Sequence, residues 1–427
     1  MSKLLMSKLK VIVSCPIDTY SGYGARSRDF VKALQEIGEY DIKVISQRWG
    51  NTRFGYLKDH NETSLQSLIV PKIDTQPDIW VQCTVPNEFQ RVGKFNIGLT
   101  AGIETTICAP TWIDGCNRMD LILVSSEHSK KVFLDTVYDQ KDKRSNQVVK
   151  QLKIEKPIEV LLEGADLSKY KPVKSTFDLS EIKESFCLLF VGHWLQGKLG
   201  EDRKNVGFMI KSFLETYKNK KDAPALILKT SSGTTSLLDQ SKVLKRIDGI
   251  RKTVRGKLPN IYLIHGDLPD SEINSLYNHP KVKAMISFTK GEGFGRPLLE
   301  FSLTNKPIIA SAWSGQVDFL DPQFAMLVGG EIKQIDPSAA IKDVLVPESG
   351  WFQADPALVA KAYKDIVKNY KKHLTNAKRL GHKNRTNFSF EVMVNKIKEY
   401  LTNYMPEMPK QVELSLPKLD LPKLKKV

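Results

Sequence analysis

The 427-residue chain is too long for one ordinary hydrophobic core and fits two domains of roughly 150 to 200 residues each. Its 41% hydrophobic and 26% charged residues are typical of a soluble globular protein, and no segment approaches the roughly 18 consecutive apolar residues of a membrane span. The formal net charge of +16 indicates a polyanionic partner, either nucleic acid or an anionic membrane face, and charge alone does not choose between them.

The N-terminal half alternates short β-branched segments with helical patterns. Such alternation predicts parallel βαβ units. The strand-like segments are LKVIVSCP, YDIKVISQ, DIWVQCTVP, FNIGLTAG and LILVSSEHS, and the first helical pattern is ARSRDFVKALQEIG. The initial MSKLLMSKLKVIVS runs on into CPIDTYSGYG without a small-residue cleavage site, so we interpret it as the first strand rather than as a signal peptide.

A second series of the same kind begins near Phe186 and indicates a second Rossmann-like domain. Its segments are CLLFVGHW, NVGFMIKSFLETYKN, ALILKTSSG, NIYLIHGD, KAMISFTK and KPIIASAW. The stretch between the two series is polar and proline-marked after Leu162, which is typical of a hinge. Two helical patterns follow Lys361, the last being FEVMVNKIKEYLTNY, and the stretch from Pro406, which contains LPKL twice, predicts a disordered or loosely docked tail.

The cysteines indicate a reducing compartment. They are odd in number, widely scattered, and include no C-x-x-C pair that would suggest zinc or redox chemistry. We expect buried, reduced thiols and therefore a cytoplasmic protein. The residues are Cys15, Cys83, Cys108, Cys116 and Cys187.

The most informative stretch is TKGEGFGRPLLEFSLTNKPIIASAWSGQVDFL. A strand ends before it, a glycine-rich loop follows, and Pro297 stands where the first helical turn should begin. Free backbone N–H groups of Gly295, Arg296 and Leu298 would then face the cleft and could bind a diphosphate. The guanidinium of Arg296 could add a charge-assisted contact to the same phosphates.

Two carboxylates bracket this loop. Glu292 precedes the helix and could reach sugar hydroxyls, while Glu300 lies inside the helix and could accept hydrogen bonds from both ribose hydroxyls. The alternative is that Glu292 is a solvated loop acid and Glu300 an ordinary surface glutamate.

The segment EGFGRPLLE resembles the Glu-x7-Glu signature of family 4 glycosyltransferases, E-G-F-G-x-P-x-x-E, which is followed by G-x-P-V-I-A. Here TNKPIIAS follows, with Asn305 replacing the glycine, and SGQVDFL resembles the next motif, with Ser314 for its first glycine and Asp318 for its acid. The resemblance implies the GT-B fold, an α/β architecture of two Rossmann-like domains facing across a cleft, with a C-terminal helix returning to the N-terminal domain. It also adds Gly293 and Phe294 to the donor-binding loop.

Further landmarks occur in the order of that family. The segment FVGHWLQGKLGEDRKNVGFMIKSF resembles the strand and helix that place an arginine and a lysine on the donor diphosphate. Lys204 matches the lysine, while His193 occupies the usual arginine position, so Arg203 is the substitute candidate. The segment SGYGARSRDF resembles the first glycine loop, where Gly22 and Gly24 let the backbone approach the sugar phosphate.

A catalytic-pocket histidine is common in the family near AGIETTICAPTWIDGCNRMD, and this chain has none there before His128. Glu104 is the nearest polar candidate for a catalytic role, with a purely structural role as the alternative.

The resemblance covers most of residues 9–404 and divides the chain into functional parts. It implies an N-terminal acceptor domain over residues 1–170 and a C-terminal nucleotide-sugar domain over residues 171–385. A return helix over residues 386–404 and a basic Pro/Lys-rich tail over residues 405–427 complete the expected organisation.

The expected reaction needs no metal and no cofactor. The chain contains no Asp-x-Asp, the usual device for a divalent ion on donor phosphates in the other main glycosyltransferase fold. The family implies retention of anomeric configuration and a nucleotide diphosphate sugar as co-substrate, with UDP-glucose the commonest.

The acceptor is less defined. The chain as a whole also resembles glycosyltransferases of tailed phages, which implies an enzyme of the host cytoplasm that acts on hydroxymethylated pyrimidines in DNA, on surface glycans or on virion proteins. Of these acceptors we expect double-stranded DNA bearing 5-hydroxymethylcytosine, with the modified base flipped into the cleft. Basic stretches such as KDKRSNQVVKQLK favour such a polyanion. The alternatives are a lipid-linked glycan reached at a peripheral anionic membrane, a surface polysaccharide, a virion protein, or a non-catalytic nucleotide-sugar binding protein.

Overall fold

The computed structural model describes residues 8–141, 147–195 and 197–408. Over these residues the chain forms two α/β domains, each built on a six-stranded parallel sheet, so the expected pair of Rossmann-like domains is confirmed. The basic stretch after Lys141 falls partly, and the tail from residue 409 with both LPKL repeats falls wholly, outside the described residues.

The N-terminal domain follows the predicted strands closely. Its strands are β1 (Leu9–Cys15), β2 (Tyr40–Ser46), β3 (Ile79–Cys83), β4 (Phe95–Leu99), β5 (Leu121–Val124), β6 (Tyr138–Lys141), β7 (Val148–Leu152) and β8 (Ile158–Val160). Its helices are α1 (Gly22–Ile37), α2 (Tyr56–Asp59), α3 (Thr63–Gln66), α4 (Pro110–Asn117) and α5 (Glu127–Asp135), with a 3₁₀ turn at Pro86–Glu88. The sheet order is β2-β1-β3-β4-β5-β8, and β6 and β7 form a separate antiparallel hairpin.

The C-terminal domain has strand order β11-β10-β9-β12-β13-β14, a doubly wound arrangement. Its strands are β9 (Cys187–Val191), β10 (Ala225–Lys229), β11 (Ile261–Ile264), β12 (Val282–Ser287), β13 (Ile308–Ser311), β14 (Met326–Val328), β15 (Gly330–Gln334) and β16 (Gly350–Ala354). Its helices are α6 (Val206–Tyr217), α7 (Leu237–Lys252), α8 (Asp270–Asn278), α9 (Arg296–Ser302), α10 (Pro356–Lys368) and α11 (Tyr370–Asn387), with 3₁₀ turns at Gly315–Asp318 and Pro337–Ala339. The two helices that begin after Lys361 are α11 and the return helix α12 (Phe390–Tyr404), which confirms the two helical patterns of the sequence.

The parallel strands put all their carboxyl ends on one edge of each sheet. Strand order reverses between β9 and β12 in the C-terminal domain, and ligands of doubly wound sheets bind at such a switch point. The loops that follow β9 and β12 are those that carry Arg203, Lys204 and Glu292.

The chain crosses between the domains twice, and the two crossings are hydrogen-bonded to each other. The N–H of Ala165 donates to the carbonyl of Phe388 (2.8 Å), and the N–H of Phe390 donates to the carbonyl of Ala165 (2.9 Å). Gly164 permits this approach, because a Cβ there would lie 2.7 Å from the Cα of Phe390. The first crossing lies in the stretch that the sequence predicts to be a hinge, and we use that name for the paired crossings.

The return helix α12 belongs to the N-terminal core. Its buried side chains, including Ile397 and Leu401, pack in one cluster with residues of β1 and α1. Its Tyr400 hydroxyl donates to the carbonyl of Val160 (2.8 Å). Met408 also contacts this core, so the start of the segment expected to be a tail is packed.

Residues 330–354 form a second bridge, which we call the strap. Its strands β15 and β16 pair as an antiparallel hairpin beyond the edge strand β14. The N–H of Thr106 donates to the carbonyl of Gly350 (2.9 Å), and the N–H of Gly350 donates to the hydroxyl of Thr106 (2.8 Å). Val344 and Val346 pack against the apolar cluster of the N-terminal domain. The strap therefore joins the domains on one side of the cleft.

The five cysteines are buried and unpaired, as expected. In the described ranges, no helix is both long enough and apolar enough to cross a bilayer.

Replacement of Ile397 by alanine should lower the free energy of unfolding by about 2 to 5 kcal/mol, because it empties a buried site between α12 and the N-terminal core. Urea unfolding measures the change. Asn403→Ala, at an exposed position of the same helix, is the matched control and should stay within about 0.5 kcal/mol. Equal stability of the two variants would contradict a structural role for α12.

Candidate functional site

The loop after β12, residues 289–295, lies against the N-terminal domain, and we call it the donor loop after the role that the sequence predicts for it. It ends at Gly295, whose φ of 101° is left-handed, and α9 begins at the next residue. Pro297 lies in the first turn, as the sequence predicted. The loop is held from behind, because the N–H of Glu292 donates to the hydroxyl of Ser314 (2.9 Å) and the carbonyl of Glu292 accepts from the N–H of Gly315 (3.0 Å).

Two of the residues that depart from the motif, Asn305 and Ser314, occur where the backbone is left-handed. Asn305 has a φ of 62° and Ser314 a φ of 69°, so each occupies a conformation that glycine adopts without strain. Asparagine tolerates this region comparatively well, and Asn205, directly after Lys204, adopts it too, with a φ of 55°. The substitutions therefore preserve the backbone path of the motif.

The N-terminal domain packs directly on the donor loop. A Cβ on Gly291 would collide with the carbonyl oxygen of Glu104, and a Cβ on Gly293 would collide with that of Ala101. The hydroxyl of Ser125 donates to the carbonyl of Gly293 (2.9 Å). The structure is therefore closed about this loop.

Four predicted residues form one charge cluster. The ammonium of Lys204 lies 2.5 Å from Glu292, and the guanidinium of Arg203 lies 3.3 Å from Glu292 and 3.0 Å from Glu104. Arg203 also donates to the carbonyl of Gly291 (2.8 Å). Two cations and two carboxylates from three loops thus balance one another, and Glu104 joins them across the domain boundary.

Burial and pairing oppose each other in this cluster. Burial alone would raise the pKa of Glu292, but Lys204 and Arg203 outweigh it and hold that pKa below its ordinary value. Burial lowers the pKa of Lys204, despite its pairing with Glu292. Burial raises the pKa of Glu104 more than the charge of Arg203 lowers it, so the pKa of this carboxyl is raised.

Arg296, predicted to contact the donor phosphates, lies in a second charge cluster. Its Nε donates to Glu300 (2.8 Å), while its Nη1 is paired with Asp29 and lies 3.7 Å from Glu163, both in the N-terminal domain. Arg26 lies 3.9 Å from the same Glu163. The guanidinium thus links the domains near the hinge, and burial raises the pKa of Glu300 to about 7 although Arg296 opposes it.

One of the predicted backbone contacts needs correction. The N–H of Leu298 is not free, because it donates to the carbonyl of Gly295 (2.9 Å) as the helix tightens at its start. The approach of a sugar phosphate to the backbone at Gly22 and Gly24 stays a prediction, and the N–H of Gly24 donates to the N-capping hydroxyl of Ser21 (2.9 Å). Gly22 faces open space, with no atom within 4 Å of an added Cβ.

Phe294 is a core residue in this structure. Its side chain is 3% exposed and packs 5.0 Å from the ring of Phe319. Its packing on Phe319 therefore anchors the donor loop to the core of the C-terminal domain.

Sequence reasoning missed the partners that arrive from distant segments. Asp29 and Glu163 gave no signal beyond being ordinary acids. Lys290 was also missed. Its buried ammonium pairs with Glu201 (3.2 Å) and lies 4.5 Å from the ring centroid of Trp351, which ties the donor loop to the strap.

In the parts of the chain that the structure describes, no three His, Cys, Asp or Glu side chains converge in a geometry that could hold a metal ion.

No protein-family model and no curated protein matches the sequence. Solved structures match nearly the whole chain. HepE from Anabaena, in complex with UDP and glucose, is 14% identical with a TM-score of 0.56 and covers 92% of this chain and 99% of its own. A glycosyltransferase from Rickettsia africae is 13% identical with a TM-score of 0.60, and the match covers 94% of this chain and 100% of the other. Sucrose-phosphate synthase from Thermosynechococcus elongatus is 12% identical with a TM-score of 0.60, and the match covers 93% of this chain and 98% of the other. Identities this low show the fold alone, and the GT-B fold is confirmed.

Alanine at Gly291 should hold the two domains apart, because its Cβ has no room beside the Glu104 carbonyl. Small-angle scattering should show a larger radius of gyration than for the native chain. Gly249→Ala is the matched control, since a Cβ there meets no atom within 4 Å. An unchanged radius in the Gly291 variant would mean that the closed contact does not persist in solution.

Proposed function

We propose that the protein is a metal-independent, retaining glycosyltransferase that moves glucose from UDP-glucose to the hydroxymethyl group of 5-hydroxymethylcytosine in DNA. The observation that carries this proposal is the balanced charge cluster at the switch point of the C-terminal sheet. Its two cations, Arg203 and Lys204, form ion pairs with carboxylates whose place a donor diphosphate could take.

The donor diphosphate would take the place of Glu292 beside Lys204 and Arg203. Both cations then neutralise the charge that develops on the departing UDP, which is the step that a metal ion assists in other enzymes. Glu292, released from Lys204, is placed to accept hydrogen bonds from hexose hydroxyls. This exchange of partners makes donor binding the event that frees the sugar-binding carboxylate.

Glu104 is the carboxylate of the acceptor side, because it belongs to the loop after β4 of the N-terminal domain. Its raised pKa suits a group that exchanges a proton with the acceptor hydroxyl. Contact between Glu104 and Arg203 also requires the domains to be closed, so proton transfer and donor activation would occur only in the closed state.

Support for a UDP-sugar donor comes from HepE, which shares the fold across almost its entire length and was solved with UDP and glucose. Retention is the stereochemistry that the Glu-x7-Glu resemblance implies. The absence of Asp-x-Asp from the sequence supports independence from metal.

DNA is the proposed acceptor because of the net charge of +16, which suits a partner bearing many phosphates. A base hydroxymethyl group inside a duplex does not reach a closed interdomain cleft. The modified base must therefore leave the stack, at a cost of about a few kcal/mol.

A second candidate is transfer to a lipid-linked acceptor, and the outer face of α7 favours it. Leu237 and Leu238 are 81% and 84% exposed, and Lys242 and Lys245 lie exposed on the same helix. Apolar and basic side chains on one helix surface suit an anionic membrane.

Nucleotide release from a panel of UDP- and other nucleotide-sugars tests the reaction. Each donor is combined with hydroxymethylcytosine DNA, unmodified DNA, glycolipid vesicles or protein, and products are identified by mass. A glucosylated nucleoside supports the proposal, and a modified lipid alone supports the second candidate. Tight UDP binding without any release would identify a non-catalytic binding protein.

Turnover should survive excess EDTA, because Lys204 and Arg203 supply the positive charge at the diphosphate. Loss of turnover that magnesium or manganese restores would overturn metal independence.

Donor affinity should fall as the pH drops from about 8 to about 6, because protonation of Glu300, whose pKa burial raises to about 7, removes an acceptor for the ribose hydroxyls. Glu300→Ala should weaken donor binding by about 1 to 3 kcal/mol and abolish this pH dependence. Calorimetry with UDP measures both effects. Glu36→Ala, at an exposed position of α1, is the control, and a Glu300 variant that binds UDP like this control would remove the ribose assignment.

A further inference from the structure

The loop between β2 and α2, residues 47–55, contains the triplet Arg-aromatic-Gly twice. The triplets are Arg48-Trp49-Gly50 and Arg53-Phe54-Gly55. Gly50 and Gly55 have φ values of 49° and 106°, and a Cβ on either would meet no atom within 4 Å. We call this segment the Arg-aromatic loop, and its glycines face open space.

The Arg-aromatic loop is anchored to the loop after β1. Thr19 and Phe54 form an isolated antiparallel bridge. The N–H of Tyr20 donates to the carbonyl of Arg53 (3.0 Å), and the N–H of Gly55 donates to the carbonyl of Asp18 (2.9 Å). Its backbone is thus held in place, and its side chains are presented at a fixed position.

A short chain of contacts leads from Trp49 to the donor loop. The indole of Trp49 stacks on Tyr23, with ring centroids 4.0 Å apart. The hydroxyl of Tyr23 bonds with the hydroxyl of Thr100 (2.9 Å) and accepts from the N–H of Ala101 (3.1 Å). The carbonyl oxygen of Ala101 in turn packs against Gly293, where a Cβ would collide with it. Trp49 is therefore linked to the donor loop through Tyr23 and Ala101.

The loop also marks the side from which an acceptor can enter. The strap closes the cleft beside β14, and the Arg296 cluster closes it beside the hinge. At the β2 and β11 edges, the domains meet through the ion pair of Arg53 with Asp267 (3.2 Å), whose side chains are 51% and 35% exposed. An exposed ion pair is easily displaced by a charged ligand.

The exposed side chains of the loop combine aromatic faces with a free cation. Phe54 is 43% exposed, and the guanidinium of Arg48 lies 5.6 Å from its ring centroid. Among the described residues, Arg48 has no carboxylate within ion-pair distance, whereas Arg53 has two. Aromatic rings stack unpaired bases, and free guanidinium groups bind backbone phosphates.

We propose that the Arg-aromatic loop is a platform for unpaired nucleotides of the acceptor, stacking bases on Trp49 and Phe54 and holding a backbone phosphate on Arg48. The inference rests on the proposed transfer to DNA and specifies its substrate as single-stranded or locally unpaired DNA. Saccharides also stack on aromatic rings, but a cation without a carboxylate partner favours the phosphate polymer.

Fluorescence anisotropy of a labelled hydroxymethylcytosine oligonucleotide of about 12 nucleotides measures binding to the full chain. Trp49→Ala should weaken binding by about 5- to 150-fold, the range that one base–aromatic stack supplies. Trp49→Phe should recover most of the loss. Arg48→Gln should reduce the slope of log affinity against log salt by about 0.7, the contribution of one phosphate on a single strand.

Arg255→Gln is the matched control, because it removes the same charge from an exposed position just beyond the end of α7. Melting temperatures verify that each variant folds. Native-like oligonucleotide binding by both Trp49→Ala and Arg48→Gln would overturn the platform, as would failure of the native chain to bind the oligonucleotide. Loss of binding to a saccharide, and not to DNA, in Trp49→Ala would assign the platform to a glycan instead.

Nucleotide release by the native chain is followed in parallel, so that the two ideas fail separately. Release with DNA acceptor but unaltered binding in the variants removes the platform and leaves the transferase. Oligonucleotide binding that depends on Trp49, without release from any donor, leaves the platform and removes the transferase.

Discussion

The burial of the Glu292 carboxylate is the constraint on which the rest of the site depends. An ionised group at 7% exposure is costly unless opposite charges are close by, and Lys204 and Arg203 supply them from a different loop. Two loops at the switch point must therefore converge within hydrogen-bonding distance. Arg203 in turn needs a second carboxylate, and Glu104 provides it from the other domain. One buried charge thus fixes the relative position of three loops and two domains.

Most of the fold could be predicted from the sequence, because parallel strands buried on both faces leave continuous apolar segments such as LILV and CLLFV. The donor loop was predictable for a different reason. Its glycines and proline are required by a local backbone path, and even the substitutions Asn305 and Ser314 retain that path through positive φ values. Local conformational requirements are visible in a single sequence.

Contacts between distant segments were not predictable. Arg296 was expected on phosphates, yet its partners Asp29 and Glu163 are far away in sequence, and no spacing rule connects them. The strap escaped prediction for a similar reason, since its strands β15 and β16 pair with each other and its valines pack on a core formed by other segments. The prediction of a free N–H at Leu298 was wrong because this N–H forms a hydrogen bond within the tight first turn of α9.

The paired crossings at Ala165 and Phe388 constrain how the molecule can move. Both covalent links between the domains lie at one place, where they share an isolated bridge, so rotation of one domain about that place is easier than separation of the two domains. Such a rotation displaces each atom in proportion to its distance from the crossings. A spectroscopic distance measured across the far side of the cleft is therefore the most sensitive reporter of it.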